Sequence, residues 1–467
     1  MSAVPSSRTP APSWLRIPDD ANALAPAVWP SGSDRDADGV IRIGGVSATA
    51  LAERFGTPLY VLDEDDVRAH ARRTLAAFRA AAAAHGVQAR VYYAGKAFLS
   101  TEVVRWVADE GLAVDVCSGG ELAVALRAGA DPAHLGFHGN NKSVTELENA
   151  VDVGIGSIVI DSIVELDRLA AIAERRGVEQ SVLIRVNSGV HAETHDFLAT
   201  AHEDQKFGFT LQDAPAVADR VRAASGLQLV GLHCHIGSQI FGTAGFQESA
   251  ARLVEVHAAI GDLPVLNLGG GFGIAYTSVD DPTPIDELAA GIIDAVAAEC
   301  ARRGIPVPNL AFEPGRAIVG QAGVTLYRVG TTKSVELGEG AVRLYVSVDG
   351  GMSDNARPAL YGAQFSARIA SRASGDEPAL VRVVGKHCES GDIVVDHEYL
   401  PADVSPGDLL AVPATGAYCF SLASNYNYVP RPPVVAVRGG EARIIVRGET
   451  IDDLLSRDAG IPTKGTV

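Results

Sequence analysis

Short apolar runs recur through the first two thirds of the chain, and each ends in a residue that can do chemistry. They are RVYYAGK ending at Lys96, LAVDV with Asp115 beside Val116, LGFHG around His138, SIVID at Asp161, and VLIRVN through Arg185 and Asn187. LVGLHCH with His233 and His235, PVLNLGGG with Gly269 to Gly271, and LAFEPGR with Glu313 and Arg316 complete the set. Amphipathic segments of helix length separate most of them. Strands alternating with helices eight times predict a (β/α)8 barrel, whose active site lies at the carboxyl ends of its strands. The polar residues stand at those ends, so the pattern predicts an enzyme and marks its mouth.

On either side the pattern changes. IRIGG and PLYVLD (58–63) predict strands before the barrel, followed by a long helix with acidic residues in its first turn and Gly86 after its last. Within the barrel, Ser100 opens one helix and Ser143-x-x-Glu146 is a capping box. Beyond Gly320, VTLYRVG, RLYVSVD, ALVRVVGK, DLLAVPA, PVVAVRG and ARIIVR predict strands, with turn signals such as Pro406-Gly407-Asp408 between them and few helices. The fold class is therefore α/β plus all-β, a (β/α)8 barrel over 65–320 with a second β-sandwich or β-barrel domain from 36–64 and 321–457. Residues 1–35, rich in Pro, Ser and Ala, are expected to be a disordered tail rather than a signal peptide, and 458–467 a C-terminal tail.

Composition narrows the classes. With 467 residues and 47% hydrophobic content, two soluble domains are expected, and no apolar run reaches the length of a membrane span. The net charge of −18 argues against nucleic acid and anionic membranes as partners. Five cysteines without CxxC spacing argue against a disulfide framework or a zinc site and suit a reducing cytoplasm.

Lys96 ends the first barrel strand. A lysine at an apolar mouth can lose its proton and form a Schiff base with an aldehyde or ketone, although a lone lysine is more often a snorkelling surface residue. GGGFG (269–273) follows the seventh strand, where barrel phosphate sites form, and glycine lets backbone N–H groups approach a phosphate closely. Tyr276 fills the third glycine position of a GxGxxG pattern, which disfavours a dinucleotide. Glu313 in EPGR ends the eighth strand and needs a cationic partner or a proton; Arg316 offers an internal ion pair, and a pyridinium nitrogen offers a functional one. Pyridoxal 5′-phosphate accounts for all three features together, with its aldehyde on Lys96, its phosphate on the glycines and its ring nitrogen on Glu313. His235 is placed to stack on the ring and Ser238 to reach the phosphate. His233 and His235 share a strand face, but with no third ligand of the right kind apparent, no metal is expected. Cys388, flanked by His387 and Glu389, is expected to be exposed and functional.

Together YYAGK, VDVCSGGEL, HGNNKS, RVNSG, THDF…KFGF, HCHIGSQ, NLGGGFG, EPGR, VDGGMSDNARPALYG, GKHCESGD and ATGAY resemble the diaminopimelate decarboxylases, from about residue 40 to 455. These are fold-type III pyridoxal-phosphate enzymes related to ornithine decarboxylase and alanine racemase. The resemblance implies decarboxylation of meso-2,6-diaminopimelate to L-lysine and CO2, the last step of bacterial lysine synthesis. It implies that Lys96 is the Schiff-base lysine, that His235 stacks on the ring, and that Ser238, Gly271, Glu313, Pro314, Gly315 and Arg316 hold the cofactor. It further implies that Arg316, Arg357 and Tyr361 bind substrate carboxylate, that Cys388 is the proton donor, that Glu389 holds the distal ammonium, and that Tyr418 touches substrate and cofactor. In this family the Cys388 and Glu389 positions reach the other subunit's site, which implies a homodimer with shared active sites.

Decarboxylases of ornithine, arginine or carboxynorspermidine are the nearest alternatives. Arg357 and Glu389 favour a substrate with a second carboxylate and a second ammonium group. Glu313 opposes a racemase, in which an arginine faces the ring nitrogen. A catalytically dead scaffold of the same fold is opposed by the presence of both Lys96 and Cys388.

Overall fold

The computed structural model describes residues 11–190, 206–261, 263–337 and 342–460. The chain divides into two compact units, one of Val67–Ile274 and Asp281–Ile318, the other of residues up to Asp66, Ala275–Asp280 and the chain from Val319 onward.

The first unit is a closed parallel barrel. Its strands are Ala89–Ala94, Ala113–Val116, Leu135–Phe137, Ser157–Ile160, Gln180–Asn187, Leu227–His233, Val265–Asn267 and Asn309–Phe312, each paired with the next. Leu310 pairs with Ala89 to close the ring. Inside, Tyr92, Ala113 and Ala311 pack with Val265, mixing one large ring with small side chains in the layered filling a narrow barrel needs. Outside, Phe78 of the helix Glu64–Ala84 stacks on Phe312 at 3.9 Å between ring centroids. Four serines repeat one device. Ser100, Ser118, Ser143 and Ser162 each follow a barrel strand and accept a hydrogen bond from the backbone N–H three residues on. Each such cap is worth about 1 kcal/mol and fixes where the chain turns from mouth to helix.

The second unit is built on one path of strands in the order Ile393–Pro401, Pro378–Val384, Val342–Val348, Gly323–Glu336, Leu59–Asp63, Val434–Arg438 and Glu441–Val446. The long strand Gly323–Glu336 pairs with Leu59–Asp63 and Leu409–Pro413 through its first half and with Val342–Val348 through its second. The register shifts between Val329 and Thr331, where it passes from one set of partners to the other. Leu59–Asp63 thus joins the C-terminal strands as expected. Ile41–Ile43 instead forms a small sheet with Asp34–Arg35 and Val46–Ser47, tied on by a hydrogen bond from Ile41 N to Ala370 O.

Three features depart from the sequence reading. Ile393–Pro401 is an additional strand; its Asp396-His397-Glu398 centre hides the pattern, because Glu398 is buried against Arg368. Residues 275–280 belong to the β unit rather than the barrel, with Tyr276 packed edge-on against Phe365. Residues 11–35 are not the expected disordered tail. Val28 and Trp29 are buried, and Gln321 Nε2 donates to the carbonyls of Pro26 and Trp29. Two tryptophans and two leucines within the Pro- and Ala-rich stretch supply apolar anchors that composition alone obscured. Residues 1–10 of that expected tail, 461–467 of the C-terminal one and the THDF motif lie outside the described residues.

Candidate active site

The first barrel strand hands the chain to a single turn, Gly95–Ala97, which presents Lys96 exposed at the mouth. Tyr93 Oη donates to Phe98 O and Ala94 N to Pro314 O, so the turn is held from both sides. Gly95 is required there, because a Cβ would lie 2.7 Å from Asp115 O.

Glu313 is buried at the end of the eighth strand. Asn267 Nδ2 donates to its Oε1 at 2.7 Å, His233 Nε2 lies 3.1 Å from the same atom, and His138 Nε2 lies 3.5 Å away. A carboxylate only accepts, so His233 presents Nε2–H to it. Burial pushes the pKa values of His138 and His233 down to about 4, against the pull of Glu313, which leaves both rings neutral at pH 7. Burial works against the Glu313 carboxylate, but the three imidazoles of His138, His233 and His235 and the His233 hydrogen bond outweigh it and hold its pKa well below the ordinary value. Asp115 goes the other way. Burial, then the charge of Glu313, raise its pKa well above the usual range, and His138 Nε2 lies 3.1 Å from its Oδ1. The mouth therefore favours the charged form of one carboxylate and the protonated form of the other.

The expected ion pair of Glu313 with Arg316 is not the one formed. Arg316 Nη2 donates instead to Ser238 Oγ at 2.8 Å, which joins two residues named for cofactor binding. His235 is half-buried and accepts from Gly270 N at Nδ1, which locks its ring to the glycine loop. Burial, then the charge of Lys96, push its pKa well below the ordinary value. The loop leaves no room for side chains: a Cβ on Gly270 would lie 2.1 Å from Glu313 O, and one on Gly271, at φ 117°, 2.6 Å from Gly237 O. Gly315 is confined by Ala94 and Ala97 at 3.0 Å, and Pro314 accepts from Ala94 N.

The reading that His233 lacks further donors nearby is corrected. His138, His233 and Glu313 bring three donor atoms within 4.8 Å of one another. The geometry is that of imidazole donors facing a carboxylate, in which the ring nitrogens turn protons rather than lone pairs toward the centre. A carboxylate kept anionic among neutral donors suits a protonated heterocyclic nitrogen. With an exposed amine at Lys96 and a glycine loop after the seventh strand, the mouth fits pyridoxal phosphate on the chemistry of its own groups.

In the β unit, Arg357 begins the short helix Arg357–Tyr361 and is buried. Its guanidinium lies over the rings of Tyr276, Tyr418 and Phe365, at 5.0, 5.8 and 6.0 Å from their centroids. Its Nε has no hydrogen-bond partner, and among the described residues it makes no ion pair with a carboxylate. A buried guanidinium in that state can accept an anion at low desolvation cost. Tyr418 adopts φ 61°, a left-handed backbone that costs a bulky residue on the order of 1–3 kcal/mol and clusters at functional sites. Tyr361 does not join this group; it is 66% exposed at the far end of the helix.

Cys388 and Glu389 are both exposed on the loop after Pro378–Val384. Asp392 clamps that loop, accepting from His387 N at 2.7 Å and Met352 N at 2.6 Å. The His387 ring lies 2.8 Å from Ser353 Oγ and 3.2 Å from Asn427 Oδ1, and Asn427 Oδ1 also accepts from Cys388 N. Asn267, Asp392 and Asn427 were not singled out from sequence, and Tyr276 only as the residue that breaks a glycine pattern. Asn267 stood beside a glycine run already noticed, and the NYNY segment around Asn427 carried the only signal for its positive φ.

This fold and mouth define a pyridoxal-binding barrel, and residues 66–320 match the family described as pyridoxal-dependent decarboxylase, pyridoxal binding domain. Diaminopimelate decarboxylase of Mycobacterium tuberculosis is 53% identical over 444 residues, covering 93% of this chain and 98% of the relative. That of Bacillus subtilis is 45% identical over 438 residues, covering 92% and 98%. Among solved structures, diaminopimelate decarboxylase from M. jannaschii in complex with L-lysine aligns with a TM-score of 0.86 at 30% identity, covering 93% and 98%. The chain belongs to the diaminopimelate decarboxylase family, and its cofactor is pyridoxal phosphate.

Proposed function

We propose that the protein removes one carboxyl group from meso-2,6-diaminopimelate, giving L-lysine and CO2, the last step of bacterial lysine synthesis. The observation that carries this reading is Arg357, a buried cation without a carboxylate partner among the described residues, in a chain of this family. The substrate brings a second carboxylate that survives the reaction, and Arg357 answers it.

Pyridoxal phosphate supplies an aldehyde for the substrate amine and a ring that takes up the electron pair left by departing CO2. The chain supplies the rest. Lys96 would tether the cofactor, and Glu313 would keep a proton on the ring nitrogen because its own charge is held by Asn267 and His233. His235, Ser238, Gly271, Pro314, Gly315 and Arg316 would hold the cofactor in place. Arg316, Arg357 and Tyr361 bind substrate carboxylate, Glu389 holds the distal ammonium, and Tyr418 contacts substrate and cofactor. Cys388 gives its thiol proton to the alpha carbon and regains one from solvent. A site that pairs both distal charges rejects a substrate lacking either, since its own groups would be left unpaired. The exposure of Cys388 and Glu389 supports a homodimer in which these residues serve the partner's site. Among the described residues no helix is long and apolar enough to cross a membrane; the proposed biosynthetic reaction suits a cytoplasmic location.

The test is to incubate the purified protein and pyridoxal phosphate with meso-diaminopimelate, ornithine and arginine in parallel and follow CO2. Release from diaminopimelate, with at most a trace from the other two, is expected. Release from ornithine or arginine but not diaminopimelate would overturn the assignment.

A further inference from the structure

We infer that the segment 14–29 is a strap that positions the aromatic wall behind Arg357, and that Trp29 is a positioning residue for the grip on the substrate's distal carboxylate. The inference rests on the reading of Arg357 given above and assigns work to a stretch for which the sequence resemblance implies no role.

The wall consists of Tyr276 and Phe365, whose rings meet edge-on at 5.1 Å and lie under the Arg357 guanidinium. Tyr276 sits in a short excursion, 275–280, that leaves the barrel sequence and returns to it. Asp280 ties the excursion by accepting from Tyr276 N and Thr277 N, and Ser366 Oγ donates to Tyr276 O. Phe365 of the wall lines a cavity of about 20 Å³ with Ser366 and Thr277, room for a single water. Trp14, Val28 and Trp29 of the strap line the same cavity.

The strap is anchored at several separate points. Gln321 Nε2 donates to the carbonyls of Pro26 and Trp29, both at 2.9 Å, and Arg368 Nε to Ala23 O at 2.9 Å. Asn22 and Ser374 exchange two hydrogen bonds, and Arg35 donates to the carbonyls of Asn22, Gly39, Ile369 and Arg372. Arg368 is itself paired with buried Glu398, so the anchor is built into the sheet. A cation held by ring faces depends on where those rings stand, because the attraction falls off beyond about 6 Å. Phe365 is already at 6.0 Å, so emptying the buried Trp29 position on the cavity they share would let its ring retreat and loosen Arg357. L-lysine retains the distal carboxylate, so the product reports on the same grip as the substrate.

The experiment uses the full-length holoenzyme. Trp29→Ala should raise KM for meso-diaminopimelate and the Kd for L-lysine, measured by calorimetry, by at least about fivefold while kcat stays within about twofold. The cofactor absorbance band should keep its wild-type intensity. Trp29→Phe should restore most of the loss, and Ile17→Ala, at a 63% exposed position of the same segment, should match wild type. If Trp29→Ala does not fold, Gln321→Ala releases the strap without emptying the core and should raise both constants at least about twofold. A folded Trp29→Ala or Gln321→Ala protein with wild-type KM and Kd overturns the strap while leaving the proposed reaction intact. Arg357→Gln with unchanged constants would instead remove the carboxylate assignment, and the strap inference with it.

Discussion

Around Glu313 at the barrel mouth the chemical groups are sunk into the protein, and in the β unit two groups stand in water. Glu313, His138 and His233 are buried and face one another, and their charges are set by burial and by these neighbours. Cys388 and Glu389 are exposed, on a loop whose backbone is clamped from beneath by Asp392 and His387. The first arrangement fixes protonation state, because in a low dielectric a charge is set by its neighbours. The second fixes position and leaves the side chains within reach of a substrate. A held cofactor suits the first; the proton donor and ammonium holder proposed at Cys388 and Glu389 suit the second.

The sharpest way to break the contrast is at Lys96. Lys96→Ala should abolish turnover and the cofactor's absorbance band near the visible, since it removes the amine proposed to hold the cofactor. Lysine formation at the wild-type rate with added pyridoxal phosphate would remove the assignment. Glu313→Gln comes next. The amide keeps the shape and drops the charge, so His233 would face a neutral group and the ring nitrogen would lose its counterion. Electrostatic groups of this kind are typically worth on the order of a few kcal/mol, so kcat should fall by well over tenfold, about 1.4 kcal/mol. A smaller fall would show that burial of the carboxylate does not serve the ring.

The exposed side of the comparison is tested by complementation. Cys388→Ala and Lys96→Ala should each be inactive alone. If Cys388 serves the partner's site, a mixed dimer carries one site with both defects and one with neither. Mixing the two variants under exchange conditions should then recover up to about a quarter of wild-type activity. Verified exchange without recovery would place Cys388 in its own subunit's site and require another reason for its exposure.

How far this contrast could be read from sequence depended on which physics wrote it. The eight barrel strands and their capping serines were legible because hydrophobic period and N-cap chemistry are local. Lys96, His235 and Glu313 stood out as polar residues closing apolar runs. What was illegible is what needs a third dimension. That Glu313 takes Asn267 and His233 rather than Arg316 depends on neighbouring strands meeting at one end of the barrel, about 50 to 80 residues apart in the chain. Tyr276 was noticed only as a residue spoiling a glycine pattern, whereas its role is to stand under Arg357. Residues 11–35 were misjudged because composition averages over the few apolar anchors that decide whether a segment packs.

The smallest expected effect concerns acid. His138 and His233 have folded pKa values near 4 against an ordinary 6.5, so between those limits the unfolded chain binds protons that the folded one refuses. Stability is then lost as pH falls from about 6.5 toward 4, by at most about 1.4 kcal/mol per pH unit for each ring. Asp115 runs against this. Its folded pKa is raised above 3.8, so it holds a proton in the native state that the unfolded chain has released, and it favours the fold at low pH. The total curve mixes the two signs, and the difference between wild type and His138→Gln isolates the histidine part. His138 is the member to replace, because Asn267 and His233 still hold Glu313 without it. The variant should lose less stability than wild type between pH 6.5 and 5, measured by urea unfolding of the holoenzyme, with the difference approaching one proton. In parallel, carbon-13 labelled histidine signals assigned to His138 and His233 should stay at their neutral positions from pH 8 down to about 5.5. Titration of both near 6.5 would mean that the barrel mouth is as open to water as the Cys388 loop, and the contrast between the two regions would fail.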